Sequence, residues 1–146
     1  MDDIVFNGTG GMWEGNLGNA SASINMPGVL DFNGSSDYIS IPDHNDFSFG
    51  NGSADDPFSV SAWIKADDLT NFPIVTKGVY NTSGEWFFQT NSSDKLEFYL
   101  ADESVASCYT GRSYNTALTS YQQQWIHVCA TYSGNEADAD AGINLY

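Results

Sequence analysis

Apolar and polar residues alternate with a period of two along several short segments, which is the pattern of half-buried β-strands. Residues 58–65 show it most clearly: one face collects Phe58, Val60, Ala62 and Ile64, and the other collects Ser59, Ser61, Trp63 and Lys65. No segment keeps an apolar pattern at helical spacing. We therefore predict an all-β fold whose core contains the apolar face of this segment, formed by Phe58, Val60, Ala62 and Ile64.

Further strands are predicted at residues 29–32, 38–41, 74–77, 86–90, 95–101, 105–110, 125–132 and 143–146. The pair 86–90 and 95–101 is predicted to form a hairpin around residues 91–94. Residues 43–57 are predicted as a long loop with one short helical turn. Residues 1–28 are rich in Gly and Asn and weakly patterned, with one strand near residues 4–6. Regularly spaced short strands predict an antiparallel sandwich, and we treat 1–146 as one domain.

The net charge of the chain excludes some classes of binding partner. Four Lys and Arg residues stand against 19 Asp and Glu, for a formal net charge of −15. Such a field repels phosphate backbones and anionic lipid, so no nucleic acid and no membrane insertion are expected. No apolar run reaches the length of a membrane span. The acidic surface has two possible roles: it keeps the protein soluble, or it binds divalent cations.

The N-terminal residues and the cysteines bear on the cellular compartment of the protein. The chain opens Met1-Asp2-Asp3-Ile4 with no basic and no apolar region, so no signal peptide is recognised. Cys108 and Cys129 are the only cysteines. They predict either one disulfide or a pair of small buried hydrophobic residues.

Three blocks of sequence, in order, resemble laminin-G-like domains of the concanavalin A-like lectin/glucanase superfamily, which includes pentraxin-like proteins. The blocks are residues 30–43 (LDFNGSSDYISIPD), residues 58–65 with 74–78 (FSVSAWIK, IVTKG), and residues 124–132 with 143–146 (QWIHVCATY, INLY). The resemblance covers residues 29–146. It implies a jelly roll of two curved antiparallel sheets.

The resemblance also implies strands after residue 146, about 30–50 residues in total. Either the chain is C-terminally truncated, or residues 1–28 supply compensating strands. A truncated sandwich would expose a sheet edge, which predicts homo-oligomers through edge pairing.

Catalysis is not expected, although some members of this fold are glycoside hydrolases. Those enzymes place two acidic side chains close together on one strand. Residues 136–140 have alternating acids, but they lie between Gly134 and Gly142 without strand-forming neighbours, so they are interpreted as a loop. Glu97, Asp102 and Glu103 lack the needed spacing.

A calcium site is the strongest metal hypothesis, because Ca²⁺ takes carboxylate and amide oxygens. One candidate set is Asp43, Asn45 and Asp46, after a strand end, and the other is Glu136, Asp138 and Asp140. The alternative for both sets is a solvated turn.

Exposed aromatic rings beside polar groups are typical of sugar-binding sites. The candidate ligand-binding residues are Trp63, Trp86, Tyr99 and Tyr109; because Trp63 lies in one of the three blocks, structural packing is the alternative for it. We therefore predict a non-catalytic, lectin-like module for a glycan or glycoprotein, part of a larger extracellular, cell-surface or virion-surface protein. The alternatives are a glycoside hydrolase of the same fold and a structural or adhesive domain.

Overall fold

The computed structural model describes residues 5–7, 23–26, 29–50, 54–79, 84–102, 108–134 and 139–146. The chain divides into two compact units, Met1–Asn45 and Asp46–Tyr146. That residues 1–146 make a single domain stays a prediction.

The first unit contains two antiparallel strand pairs. β1 (Val5–Asn7) pairs with β4 (Tyr38–Ser40), and β2 (Ser23–Met26) pairs with β3 (Val29–Asp31). The turn between β3 and β4 forms around Asn33, whose Oδ1 accepts the backbone N–H groups of Ser35 and Ser36, both at 2.9 Å. Gly34 lies there at φ +69°, a conformation that glycine adopts without strain. β1, β3 and β4 confirm the predicted strands, whereas β2 was missed.

The second unit contains two antiparallel sheets. The four-stranded sheet has the order β6 (Pro73–Lys77), β7 (Trp86–Thr90), β8 (Leu96–Asp102) and β9 (Cys108–Ser113). The three-stranded sheet has the order β11 (Ile143–Leu145), β10 (Ile126–Tyr132) and β5 (Phe58–Ile64). Short helical turns occur at Asn45–Phe47, Thr119–Tyr121 and Ala139–Gly142 (α1).

The register of β5 against β10 places the predicted apolar sets on one face. Val60 lies opposite Ala130, and Ala62 lies opposite Val128. Burial alternates along both strands, and their apolar residues belong to the core or pack against it. This confirms the alternation predicted at residues 58–65 and 125–132.

Phe58 joins the two sheets through its aromatic contacts. Its ring centroid lies 5.6 Å from that of Phe98 on β8, 5.9 Å from Trp86 on β7 and 6.1 Å from Tyr132 on β10. Phe49 stacks on it at 3.9 Å. The largest fully buried side chains are Phe88, Phe98, Leu69, Leu96, Ile143 and Thr90. The fold class is therefore the predicted one, an all-β jelly-roll sandwich of two antiparallel sheets.

The predicted hairpin is confirmed as β7 and β8. Its turn is held by Asn91, whose Oδ1 accepts the backbone N–H groups of Ser93 at 2.8 Å and Lys95 at 3.1 Å. Asp94 has φ +58° there, and its carboxylate accepts hydrogen bonds from the hydroxyls of Thr70 and Thr119. The turn is thus tied to two loops distant in sequence.

Two sequence predictions need correction. The strand predicted at residues 105–110 is β9, which runs from Cys108 to Ser113; residues 105–107 lie outside the described residues. β9 continues through Gly111, a weak strand former, because the Tyr99 ring covers that glycine. Part of the loop predicted between Gly134 and Gly142 is the helical turn α1.

Candidate ligand-binding surfaces

The four aromatic residues singled out from the sequence lie in three different places. Trp86 is in the core between the sheets and only 9% exposed. Its Nε1 donates to the backbone oxygen of Phe47 at 3.0 Å, which satisfies the one polar group of the indole. Trp86 therefore has a packing role and offers no ring face to a ligand, which corrects its selection as a platform.

Tyr99 and Tyr109 share the outer face of the four-stranded sheet, on neighbouring strands. Tyr99 lies opposite Phe87 on one side and Gly111 on the other. A Cβ added to Gly111 would come within 2.2 Å of the Tyr99 ring, so that ring lies directly against the glycine. The ring of Tyr109 is 6.4 Å from that of Phe87. Both tyrosines are half-buried, so much of each ring is already in contact with the protein.

Glu97 lies on the same outer face and is buried, with 6% exposure. Its Oε1 accepts hydrogen bonds from Asn91 Nδ2 at 2.5 Å and from Ser113 Oγ at 2.6 Å. Burial of a carboxylate is costly unless it is hydrogen-bonded, and these two donors meet that need. They fix the carboxylate between β9 and the turn at Asn91.

Trp63 is the accessible member of the set, with 67% of its surface exposed. It lies on the outer face of β5, directly opposite His127 on β10. The two ring centroids are 5.3 Å apart, with a 50° angle between the planes. Ser61 is the next outward residue on β5 and is also exposed. We call Ser61, Trp63 and His127 the Trp63 surface.

A pocket of about 220 Å³ lies where β9 ends beside β11. It is lined by Arg112, Ser113, Tyr114, Asn115, Asn144 and Leu145, and we call it the Arg112 pocket. Sequence reasoning missed it because its residues come from two strands distant in the chain. The one available signal was that Arg112 is the only arginine.

The candidate calcium ligands are only partly described. Asp43 and Asn45 are exposed at the end of the first unit, and Asp46 is exposed at the start of the second. Glu136, Asp138 and the side chain of Asp140 lie outside the described residues. Among the residues that the structure describes, no group of three or more His, Cys, Asp and Glu side chains could hold a metal ion. Calcium binding stays a prediction.

Cys129 carries a free thiol and lies half-buried on β10. Its Sγ is 3.8 Å from the backbone oxygen of Ala130. Cys129 is therefore not in a disulfide, which was one of the two alternatives from the sequence, and the side chain of Cys108 lies outside the described residues.

No helix in the described part of the chain is long and apolar enough to cross a membrane.

Comparison with known proteins gives one match. A laminin-G family model, described as the concanavalin A-like lectin/glucanases superfamily, matches residues 33–146. No curated protein and no solved structure matches significantly. The matched range includes β5 to β11 and therefore both sheets of the second unit.

Proposed function

Because the chain belongs to the concanavalin A-like lectin/glucanases superfamily, we propose that it is a non-catalytic carbohydrate-binding module and that the Trp63 surface holds the sugar. Family membership supports a lectin-like or related module in general. The observation that favours a sugar is the position of Trp63, two-thirds exposed on a sheet face beside His127 and Ser61.

An exposed indole on a strand suits the apolar face of a pyranose ring. Trp63 is held by the pairing of β5 with β10 and by contact with His127, so little freedom is lost when a ligand stacks on it. The Ser61 hydroxyl and the His127 imidazole both donate and accept hydrogen bonds. Such groups beside an aromatic ring match the alternating apolar faces and hydroxyl edges of a sugar.

The expected affinity is weak for a single site. Covering about 100 Å² of the indole contributes about 2.5 kcal/mol at 25 cal/mol per Å². This is less than the roughly 4 kcal/mol that a 1 mM dissociation constant requires, so hydrogen bonds must supply the remainder. Avidity from several copies is the expected route to tight binding.

A glycan array run with and without a calcium chelator tests the proposal, comparing the native chain with Trp63→Ala and Trp63→Phe. We expect Trp63→Ala to lose the array signal and Trp63→Phe to keep part of it. Tyr121→Ala is the matched control, because Tyr121 is an exposed aromatic residue, 46% exposed, in the Thr119–Tyr121 turn. Absence of any bound glycan in either condition, or full binding by Trp63→Ala, would overturn the proposal.

The absence of catalysis is tested on the same glycans. Each bound glycan is incubated with the protein and assayed for new reducing ends. Release of reducing sugar that Trp63→Ala abolishes would indicate a glycoside hydrolase instead.

We further propose that the module acts on the outside of a cell or virion, on glycans or glycoproteins. Light scattering after gel filtration tests the proposed homo-oligomer. A monomer mass at all concentrations would argue against edge pairing.

A further inference from the structure

Arg112 occupies a position where the strand pattern calls for an apolar residue. It lies directly opposite Phe98, and side chains of directly opposite residues share one face of a sheet. Because Phe98 is in the core, Arg112 is on the side that faces the other sheet. β9 is the last strand of the four-stranded sheet in its hydrogen-bonded order, and Arg112 is exposed there.

The guanidinium of Arg112 bridges the two sheets. Its Nη1 donates to the backbone oxygen of Ile143 on β11 at 2.9 Å. Arginine has five N–H donors in a planar fork, so this bond fixes the orientation of the group and leaves most of its donors for other partners. The guanidinium group belongs to a residue of the four-stranded sheet and is hydrogen-bonded to the three-stranded sheet.

The Arg112 pocket places hydrogen-bonding and aromatic side chains beside this group. Asn115 and Asn144 are exposed and offer amide donors and acceptors, and Tyr114 offers a ring that is 42% exposed. The guanidinium fork matches a carboxylate in a bidentate manner. The volume of about 220 Å³ is below the range typical of drug-sized ligands, about 300–1,000 Å³, which favours a single sugar unit.

We infer that the Arg112 pocket binds a carboxylate-bearing monosaccharide unit, a uronate. The carboxylate lies on the Arg112 fork, and the hydroxyls bond to Asn115 and Asn144. This site is separate from the Trp63 surface and does not depend on it.

The negative charge of the chain does not prevent such binding. The formal charge of −15 is spread over 146 residues, and salt screens charges beyond about 8 Å at physiological ionic strength. Glu97 lies opposite Ser113, on the other face of the sheet from Arg112, and its carboxylate accepts a hydrogen bond from the Ser113 hydroxyl at 2.6 Å. Among the side chains that line the pocket, that of Arg112 is the only charged one.

The test is a titration of the ¹⁵N-labelled chain with glucuronate, glucose and acetate, followed by amide chemical shifts. We expect glucuronate to shift the amides of residues 112–115 and 143–145, and glucose and acetate to bind at least tenfold more weakly. Acetate binding as tightly as glucuronate would show an anion site without sugar recognition, and would overturn the inference. So would glucuronate shifts confined to other residues, or none.

Variants at two positions, Arg112 and Asn115, make the test specific. Arg112→Gln is expected to weaken glucuronate binding about 10- to 100-fold, and Arg112→Lys to give a smaller loss, because the ammonium keeps the charge but not the fork. Since Arg112→Gln also removes the bond to Ile143, Asn115→Ala provides a second variant that leaves that bond intact. We expect it to weaken glucuronate but not acetate. Unchanged affinity in both Arg112→Gln and Asn115→Ala would overturn the assignment.

Discussion

Trp63 and His127 lie directly opposite each other on β5 and β10, with ring centroids 5.3 Å apart on a solvent-exposed face. On the opposite side of the same two strands, Ala62 and Val128 are paired in the core. The pair of strands therefore separates two kinds of residue: those that stabilise the fold and those that are available to a ligand.

This separation predicts that Trp63→Ala leaves the fold intact. Because Trp63 is 67% exposed, we expect the free energy of unfolding in urea to change by less than about 0.5 kcal/mol. The measurement is urea denaturation of both chains, followed by circular dichroism. A loss of several kcal/mol would mean that Trp63 has a packing role, and a lost array signal would then not identify a binding residue.

Phe98→Ala should have the opposite effect. Phe98 is 1% exposed and contacts Phe58 and Phe88, so truncation leaves a cavity between the sheets. We expect a loss of about 3–5 kcal/mol in the free energy of unfolding. Tyr121→Ala, at an exposed site, is the control and should change little. A small loss at Phe98 would show that the core lies elsewhere.

Gly111→Ala is predicted to destabilise the four-stranded sheet. Its Cβ would come within 2.2 Å of the Tyr99 ring and 2.5 Å of the Phe98 backbone oxygen. We expect a loss of about 1–3 kcal/mol, as for other overpacked sites. In a Tyr99→Ala background the ring contact is gone, so the loss should be smaller. A double-mutant cycle measures the difference, and strict additivity would contradict the contact.

Asp68 should make a pH-dependent contribution to stability. Hydrogen bonds from Thr70, its backbone N–H first and its side chain second, hold the pKa of Asp68 below its ordinary value of 3.8. A lowered pKa in the folded state stabilises the fold above pH 3.8, and this contribution is lost as the pH falls through the folded-state pKa. Urea denaturation of Asp68→Ala should therefore show lower stability than the native chain at pH 7. The difference should diminish in acid; a difference that grew would contradict the assignment.

Calcium binding is tested by a thermal melt with added CaCl₂ and with chelator. If one of the two predicted acidic sets binds the ion, calcium raises the melting temperature, because a ligand that binds only the folded state stabilises it. Replacing Asp43 and Asp46 by Asn, and separately Asp138 and Asp140, identifies the set. A melting temperature that calcium does not change would argue against a tightly bound stabilising ion.

Strand periodicity predicted the central strands well because their environment matches the pattern. β5 and β10 each have one face in the core and one outward, so alternation of residue type follows alternation of burial. Trp86 was misassigned for a related reason. It begins the continuous apolar run Trp86-Phe87-Phe88, in which both faces of β7 are buried, so alternation does not show which face is inside.

Local sequence patterns could not predict the Arg112 pocket. Arg112 and Asn144 come together only through the packing of β9 near β11, and neither segment has a local motif for it. The shift in β9 has a similar origin. Gly111 reads as a strand breaker from sequence, but Tyr99 on the neighbouring strand compensates for its missing side chain.

The pairing of β5 with β10 has a consequence for the folding pathway. These two strands are separated along the chain by the whole four-stranded sheet, whereas β7 and β8 are joined by a short turn. Closing a short loop costs less chain entropy than closing a long one, so we expect the β7–β8 hairpin to form first and the three-stranded sheet to close last. Trp63 and His127 would then meet only in that final step, and their contact would report that folding is complete.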